Sequence, residues 1–132
     1  MGVYKVKQYI IVRKDLNMPA GKMAAQAGHA SVGALLNASM RASDKVYIDY
    51  SIYPDVQQWI EGDFAKVCLA VNSEDELRDC YKIAKQHKLP CAFIVDNGTT
   101  VFHGVPTPTC VGIGPAKSET IEPLFKHLKL YK

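Results

Sequence analysis

Apolar residues follow two rhythms along the chain: short continuous runs, and stripes spaced three or four residues apart. Val6, Tyr9, Ile10, Ile11 and Val12 make a nearly unbroken run between Lys5 and Arg13, the pattern of a strand covered on both faces. From Met18 to Leu36 the rhythm turns helical. Met23, Ala27, Ala30 and Ala34 share one face, and Lys22, Gln26 and His29 line the neighbouring stripe. Asn17 suits the cap of this helix, Pro19 its first turn and the many alanines its interior. The helix is expected to reach about Ala42. Residues 43–53 mix charge with Val46, Tyr47, Ile48, Tyr50, Ile52 and Tyr53 without a period, and no element is assigned to them. Pro54 to Gly62 reads as a short helix, opened by Pro54, stopped by Gly62 and anchored by Trp59.

The second half repeats the alternation. Phe64 to Val71 is a second strand with both faces expected to be buried. Ser73-Glu-Asp-Glu76 is a capping box. It opens a helix with Leu77, Cys80, Tyr81 and Ala84 on its apolar face, ending near Pro90. Cys91 to Val95 is a third strand, Asp96-Asn97-Gly98 a turn, and residues 99–109 a loop or short hairpin carrying Pro106 and Pro108. Thr109 to Ile113 is a fourth strand, broken by Gly114-Pro115, and a last helix runs from Ser118 past Leu124 and Phe125 to Leu128. Helical crossovers should make the first three strands parallel, with the fourth antiparallel. The expected fold is one α/β domain over residues 1–132. It is a three-layer sandwich with a mixed, mostly parallel sheet of about four strands and helices on both faces.

Composition narrows the classes. The 132 residues are enough for one real core, and 48% apolar with 22% charged residues is ordinary for a globular chain. A net charge of +3 permits an anionic partner without arguing for one. Cys68, Cys80, Cys91 and Cys110 lack CxxC spacing, so buried free thiols in a reducing compartment are expected. No window approaches the roughly 20 apolar residues of a membrane span. The opening Met-Gly-Val-Tyr-Lys-Val-Lys has no signal-peptide pattern. A cytoplasmic protein with no membrane partner is expected. His29, His87, His103 and His127 show no metal-ligand spacing; no metal and no other cofactor is assigned.

Chemistry is suggested by Lys22. A cation in a first helical turn opposes the helix dipole, and a local rule broken without local gain often marks a functional site. Helix N–H groups beside a lysine make a place for an oxyanion. In open parallel sheets ligands bind beyond the carboxyl ends of the strands. Lys22 follows the first strand, Asp96 ends the third ahead of Thr100, and an antiparallel fourth strand brings Thr109 to the same edge. Lysine, aspartate, threonine and histidine within reach of one another suit hydrolysis: a carboxylate orients or deprotonates water and an ammonium stabilises an oxyanion. The plainer alternatives are Asp96 capping its own turn, Thr100 as a strand hydroxyl and His29 as a packed helical histidine.

Three ordered motifs then add a resemblance. Arg13-Lys-Asp-Leu-Asn-Met18 with Gly21-Lys-Met-Ala-Ala-Gln26 and His29-Ala30, Asp96-Asn-Gly-Thr-Thr100, and Thr109-Cys-Val-Gly-Ile-Gly-Pro115 resemble the archaeal/eukaryotic-type (type 2) peptidyl-tRNA hydrolases. Leu128-Lys-Leu-Tyr131 resembles that family's ending. The likeness covers nearly the whole chain outside residues 40–60. It implies a mixed four-stranded sheet flanked by helices, often a homodimer. It also implies metal-free hydrolysis of the ester joining a peptide to the 3′-terminal ribose of tRNA. The family's catalytic residues fall on Lys22, Asp96 and Thr100, and its motif glutamine and histidine on Gln26 and His29. Peptidyl-tRNA as substrate would draw on Arg13 and Lys14 as a cationic surface, with Gln26, His29 and Thr109 as further substrate contacts. Two departures stand out: Val101 where the family usually has Gln, and Ala116-Lys117 where it usually repeats Gly-Pro. They support the alternative of a catalytically lapsed module that binds tRNA or a protein.

Overall fold

A computed structural model describes residues 3–99 and 101–132. The elements follow in the order β1 (Val6–Arg13), a 3-10 turn (Lys14–Leu16), α1 (Ala20–Asn37), β2 (Met40–Ala42), β3 (Lys45–Tyr47), α2 (Pro54–Glu61), β4 (Lys66–Val71), α3 (Glu74–Gln86), β5 (Cys91–Asp96), β6 (Thr107–Lys117), α4 (Ser118–Phe125) and β7 (Lys129–Leu130). The main sheet has five strands in the order β5-β6-β1-β4-β7, and β2 and β3 form a separate hairpin.

The expected strand directions hold, but the expected pairing does not. β1 and β4 pair in parallel, whereas β6 is antiparallel to both β1 and β5, and β7 is antiparallel to β4. Strands β1, β4 and β5 therefore point the same way, yet the sheet is mostly antiparallel. The reason is topological: β6 returns from β5 through a short loop and inserts between β5 and β1. It separates two like-directed strands that the sequence leaves as neighbours.

Two cores sit on the two faces. On one, Tyr9, Ile11, Leu69, Val71, Val111 and Ile113 meet Leu77, Cys80 and Ala84 of α3 and Ile121 and Phe125 of α4. On the other, Ile10, Val12 and Cys110 meet Met18 and Ala30 beside and on α1. Each large apolar side chain removed from water here contributes about 1.5–3 kcal/mol. β1 is buried along almost its whole length, as its apolar run predicts, but it also buries Lys7 and Gln8. Both are satisfied: Lys7 by Glu122 of α4, and Gln8 by the carbonyls of Ser31 and Gly114 and the Ser31 hydroxyl. β4 is less covered than expected, because only the two-residue β7 lies beyond it.

Boundaries differ in places. α1 stops at Asn37 rather than about Ala42, and its remainder enters the β2–β3 hairpin. Asn17 is not its cap; it takes a left-handed conformation after the 3-10 turn, and Pro19 occupies the cap position. β6 is not broken by Gly114-Pro115. Its register shifts there opposite Lys7 and Tyr9, and the strand continues to Lys117; such a bulge tolerates a residue that lacks an N–H. The Ser73 cap of α3 and the Gly62 stop of α2 are as expected.

One contact sets up the site. A Cβ at Gly112 would lie 2.1 Å from the Ala30 carbonyl oxygen, so the α1 backbone rests directly on β6. Gln26, one turn before Ala30, is thereby brought against the first residues of β6.

Candidate active site

The carboxyl ends of β1 and β5, the start of β6 and the first turn of α1 share one edge of the sheet. Lys22 reaches across that edge from α1, and its Nζ donates to Asp96 Oδ1 at 2.7 Å. The ion pair offsets the cost of a cation in the first turn of a helix. The ammonium also stands 5.9 Å from the centre of the Phe102 ring, a favourable cation–π position. Phe102 packs on the α1-side core and so holds its loop over the pair. Nothing periodic in the sequence marks Phe102; an aromatic residue inside a Gly-, Thr- and Pro-rich loop is the only signal.

Among the described residues, three donors converge on Asp96. Besides Lys22, Gln26 Nε2 donates to Oδ1 at 3.2 Å and the Gly98 N–H donates to Oδ2 at 2.9 Å. Gly98 is required by its backbone. Its φ is +85°, and a Cβ there would lie 2.5 Å from the Val105 carbonyl oxygen. The Lys22 hydrogen bond, aided by Gly98 and Gln26 and opposed by burial, holds the Asp96 carboxyl below the usual carboxylate range. Asp96 is therefore a carboxylate throughout the neutral range.

Behind Asp96 the chain of bonds continues into the core. Gln26 and Thr109 are both buried, and the Thr109 hydroxyl donates to Gln26 Oε1 at 2.6 Å. With its oxygen engaged by Thr109, the Gln26 amide must turn its NH2 toward Asp96. The Cys110 thiol donates to the Gln26 carbonyl at 3.1 Å, and burial pushes its pKa up to about 11, so it stays a donor.

The remaining candidates lie apart from this chain. Arg13 is largely covered. It donates to Asp15 at 2.7 and 3.2 Å and to the Pro108 carbonyl at 3.0 Å, with Glu74 4.0 Å away. It ties the end of β1 to the start of β6. His29 is exposed on α1, and no hydrogen bond or ion pair links it to Asp96 among the described residues. Lys14 is exposed on the 3-10 turn, beside Ala70 and Asn72. Thr100 lies outside the described residues. Among the described residues, no three His, Cys, Asp or Glu side chains group as metal ligands, and no helix is long and apolar enough to cross a membrane.

Residues 6–131 match the family described as Peptidyl-tRNA hydrolase PTH2. The chain belongs to the PTH2 family. Two archaeal relatives agree with it in length as well as sequence. A peptidyl-tRNA hydrolase of Methanocaldococcus jannaschii is 39% identical over 125 residues, covering 95% of this chain and 99% of the relative. One from Methanococcus maripaludis is 42% identical over 124 residues, covering 94% and 97%. A probable peptidyl-tRNA hydrolase 2 of Dictyostelium discoideum is 36% identical over 125 residues, and the match takes in 54% of that longer protein. Within this PTH2 chain, the family motifs that lie far apart in sequence supply Lys22, Gln26, Asp96 and Thr109 to one hydrogen-bonded line.

Proposed function

We infer that this chain hydrolyses the ester between a peptide and the 3′-terminal ribose of tRNA, with Lys22 and Asp96 at its catalytic centre. One observation carries the reading: in a chain of the PTH2 family, an ammonium and a carboxylate 2.7 Å apart stand at the edge of the sheet where α/β folds bind ligands.

Water attacks the ester carbonyl, and the negative charge that develops on its oxygen is met by the Lys22 ammonium; collapse of the tetrahedral intermediate then breaks the bond to the ribose oxygen, which leaves as a hydroxyl carrying the proton that the water gives up. A carboxylate held as acidic as Asp96 is a weak proton acceptor, so its contribution is to fix Lys22 and orient water. Gln26 and Thr109 act behind it as positioning residues: the hydroxyl sets the amide and the amide sets the carboxylate. Arg13 braces the same edge through Pro108, and Thr100 is the third catalytic residue that the family motif implies. Lys14 and His29, both exposed, remain available to the tRNA.

The lapsed-module reading loses one support here. Ala116 and Lys117 pair with Lys7 and Val6 at the opposite end of β6 from Asp96, so that departure from the family pattern does not touch the catalytic groups. Work on peptidyl-tRNA implies action in the cytoplasm, which the four unpaired cysteines support. The homodimer belongs to the same reading and is tested by sedimentation. The decisive experiment is single-turnover hydrolysis of peptidyl-tRNA with an aminoacyl-tRNA control. Cleavage that disappears in Lys22→Ala is the expected result; tRNA binding without cleavage in the unmodified protein would favour the lapsed module.

A further inference from the structure

Two of the cations nearest the site are already engaged. Lys22 pairs with Asp96, and Arg13 pairs with Asp15 and leans toward Glu74. Neither has a charge to spare for a phosphate backbone. A second group of basic side chains, three of them lysines, stands farther along the same edge. Lys14, His127, Lys129 and Lys132 line one depression, together with Asn72 and Glu76. All three lysines are exposed. Among the described residues, none of them has a carboxylate within 4.0 Å. Glu76 is engaged elsewhere, since its carboxylate accepts the Asn72 N–H at the start of α3, where the helix dipole favours an anion.

The sheet carries this group to the catalytic line in a measured way. The register runs straight across from Ile94 through Cys110, Val12 and Ala70 to Lys129. Four strand spacings make roughly 19 Å. The depression offers no Phe, Tyr or Trp among its described lining residues, so it lacks the stacking platforms on which single strands lie. Lysines without stacking partners suit the phosphates of a duplex.

We propose that the depression lined by Lys14, His127, Lys129 and Lys132 holds the backbone of the tRNA acceptor stem, while the single-stranded 3′ end crosses the sheet edge to Lys22. This rests on the reading of the chain as a peptidyl-tRNA hydrolase and adds where the tRNA lies. Recognition there is by charge and is indifferent to base sequence.

The test compares Lys129→Gln/Lys132→Gln with Lys85→Gln/Lys88→Gln, a pair at the opposite edge of the sheet. Binding of uncharged tRNA is measured against salt, and hydrolysis is measured on peptidyl-tRNA and on a peptidyl ester of a CCA trinucleotide. The first pair should lower the log–log salt slope by about 1.8, at about 0.9 per lost phosphate contact, and raise KM for peptidyl-tRNA on the order of tenfold at 0.1 M salt. The trinucleotide ester has no stem, and its hydrolysis relative to peptidyl-tRNA should rise accordingly. Equal slopes and equal KM values for the two pairs would overturn the proposal, as would equal losses on both esters. The salt slope is read whether or not the ester is cleaved, so failure of the catalytic reading is seen separately, as an unmodified protein inactive on both substrates.

Discussion

Two lysines are held by carboxylates at opposite ends of this fold, and they differ in which partner is hidden. In the Lys7–Glu122 pair the cation is the covered member, its side chain 2% exposed against 32% for Glu122. Lys7 lies between sheet and helix with Tyr9 beside it, and its partner comes from α4. In the Lys22–Asp96 pair the anion is the more covered, 8% against 14%, and it is the anion that collects further donors. A buried cation with one exposed partner is a clamp between layers. A carboxylate built into the fold by Lys22, Gln26 and Gly98, presenting an ammonium at the edge of the sheet, is on the proposed reading equipment for charge that appears only during reaction. An ammonium–carboxylate pair thus serves architecture at one end of β1 and, on the proposed reading, chemistry at the other.

The largest expected effect separates the two pairs. Lys22→Ala should lower single-turnover hydrolysis by ~10²–10³, the usual loss for one oxyanion stabiliser. It also strips Asp96 of its ammonium, so melting temperature should fall slightly rather than stay level, despite the relief of the helix dipole. Glu122→Ala should do the reverse. It leaves the Lys7 ammonium buried without compensation and should cost about 3 kcal/mol of stability by denaturant titration, while the rate of the folded protein stays unchanged. A large rate loss in Glu122→Ala would erase the distinction between clamp and chemistry.

Thr109→Val probes the line behind Asp96. It orphans the buried Gln26 oxygen, at a cost of about 1–3 kcal/mol, and frees the amide to turn. Hydrolysis should fall roughly tenfold in kcat with little change in KM, as expected when only transition-state geometry is affected. A KM effect alone would make Thr109 a substrate contact instead.

The smallest effect is on pH. The folded pKa of Asp96 lies below its ordinary value. The stability this confers is fully present above about pH 4, near the unfolded value, and is lost as the pH falls through the folded value. Thermal melting from pH 6 downward should therefore drop more steeply below about pH 4 in the unmodified protein than in Asp96→Asn. Equal slopes would mean that the pair does not hold the carboxyl as described.

Much of this was legible in the chain itself. A helix or strand is encoded by the spacing of its own apolar residues, so α1, α2, α3 and the four longer strands of the sheet could be read within a few residues. The edge shared by Lys22, Asp96 and Thr109 followed from strand direction alone. The hairpin at residues 40–47 and the short β7 were not legible, since three- and two-residue strands are too short to show a period.

Strand direction, the Ser73 cap of α3 and the shared edge of Lys22 and Asp96 were determined by the sequence, because each rests on local spacing or on the sense of a crossover. Which strand lies beside which was decided only in three dimensions, where β6 could fold back and pair both its edges between β5 and β1. The same closure decided the roles of Gln26, Thr109 and Arg13. Read along the chain, they are polar residues beside a site, free to meet a substrate. In the fold, Gln26 and Thr109 are covered by the close contact of α1 on β6, and Arg13 is taken up by Asp15 and Pro108. A polar group's role depends on what remains unsatisfied once its neighbours arrive, and those neighbours lie 70, 83 and 84 residues away for Gln26.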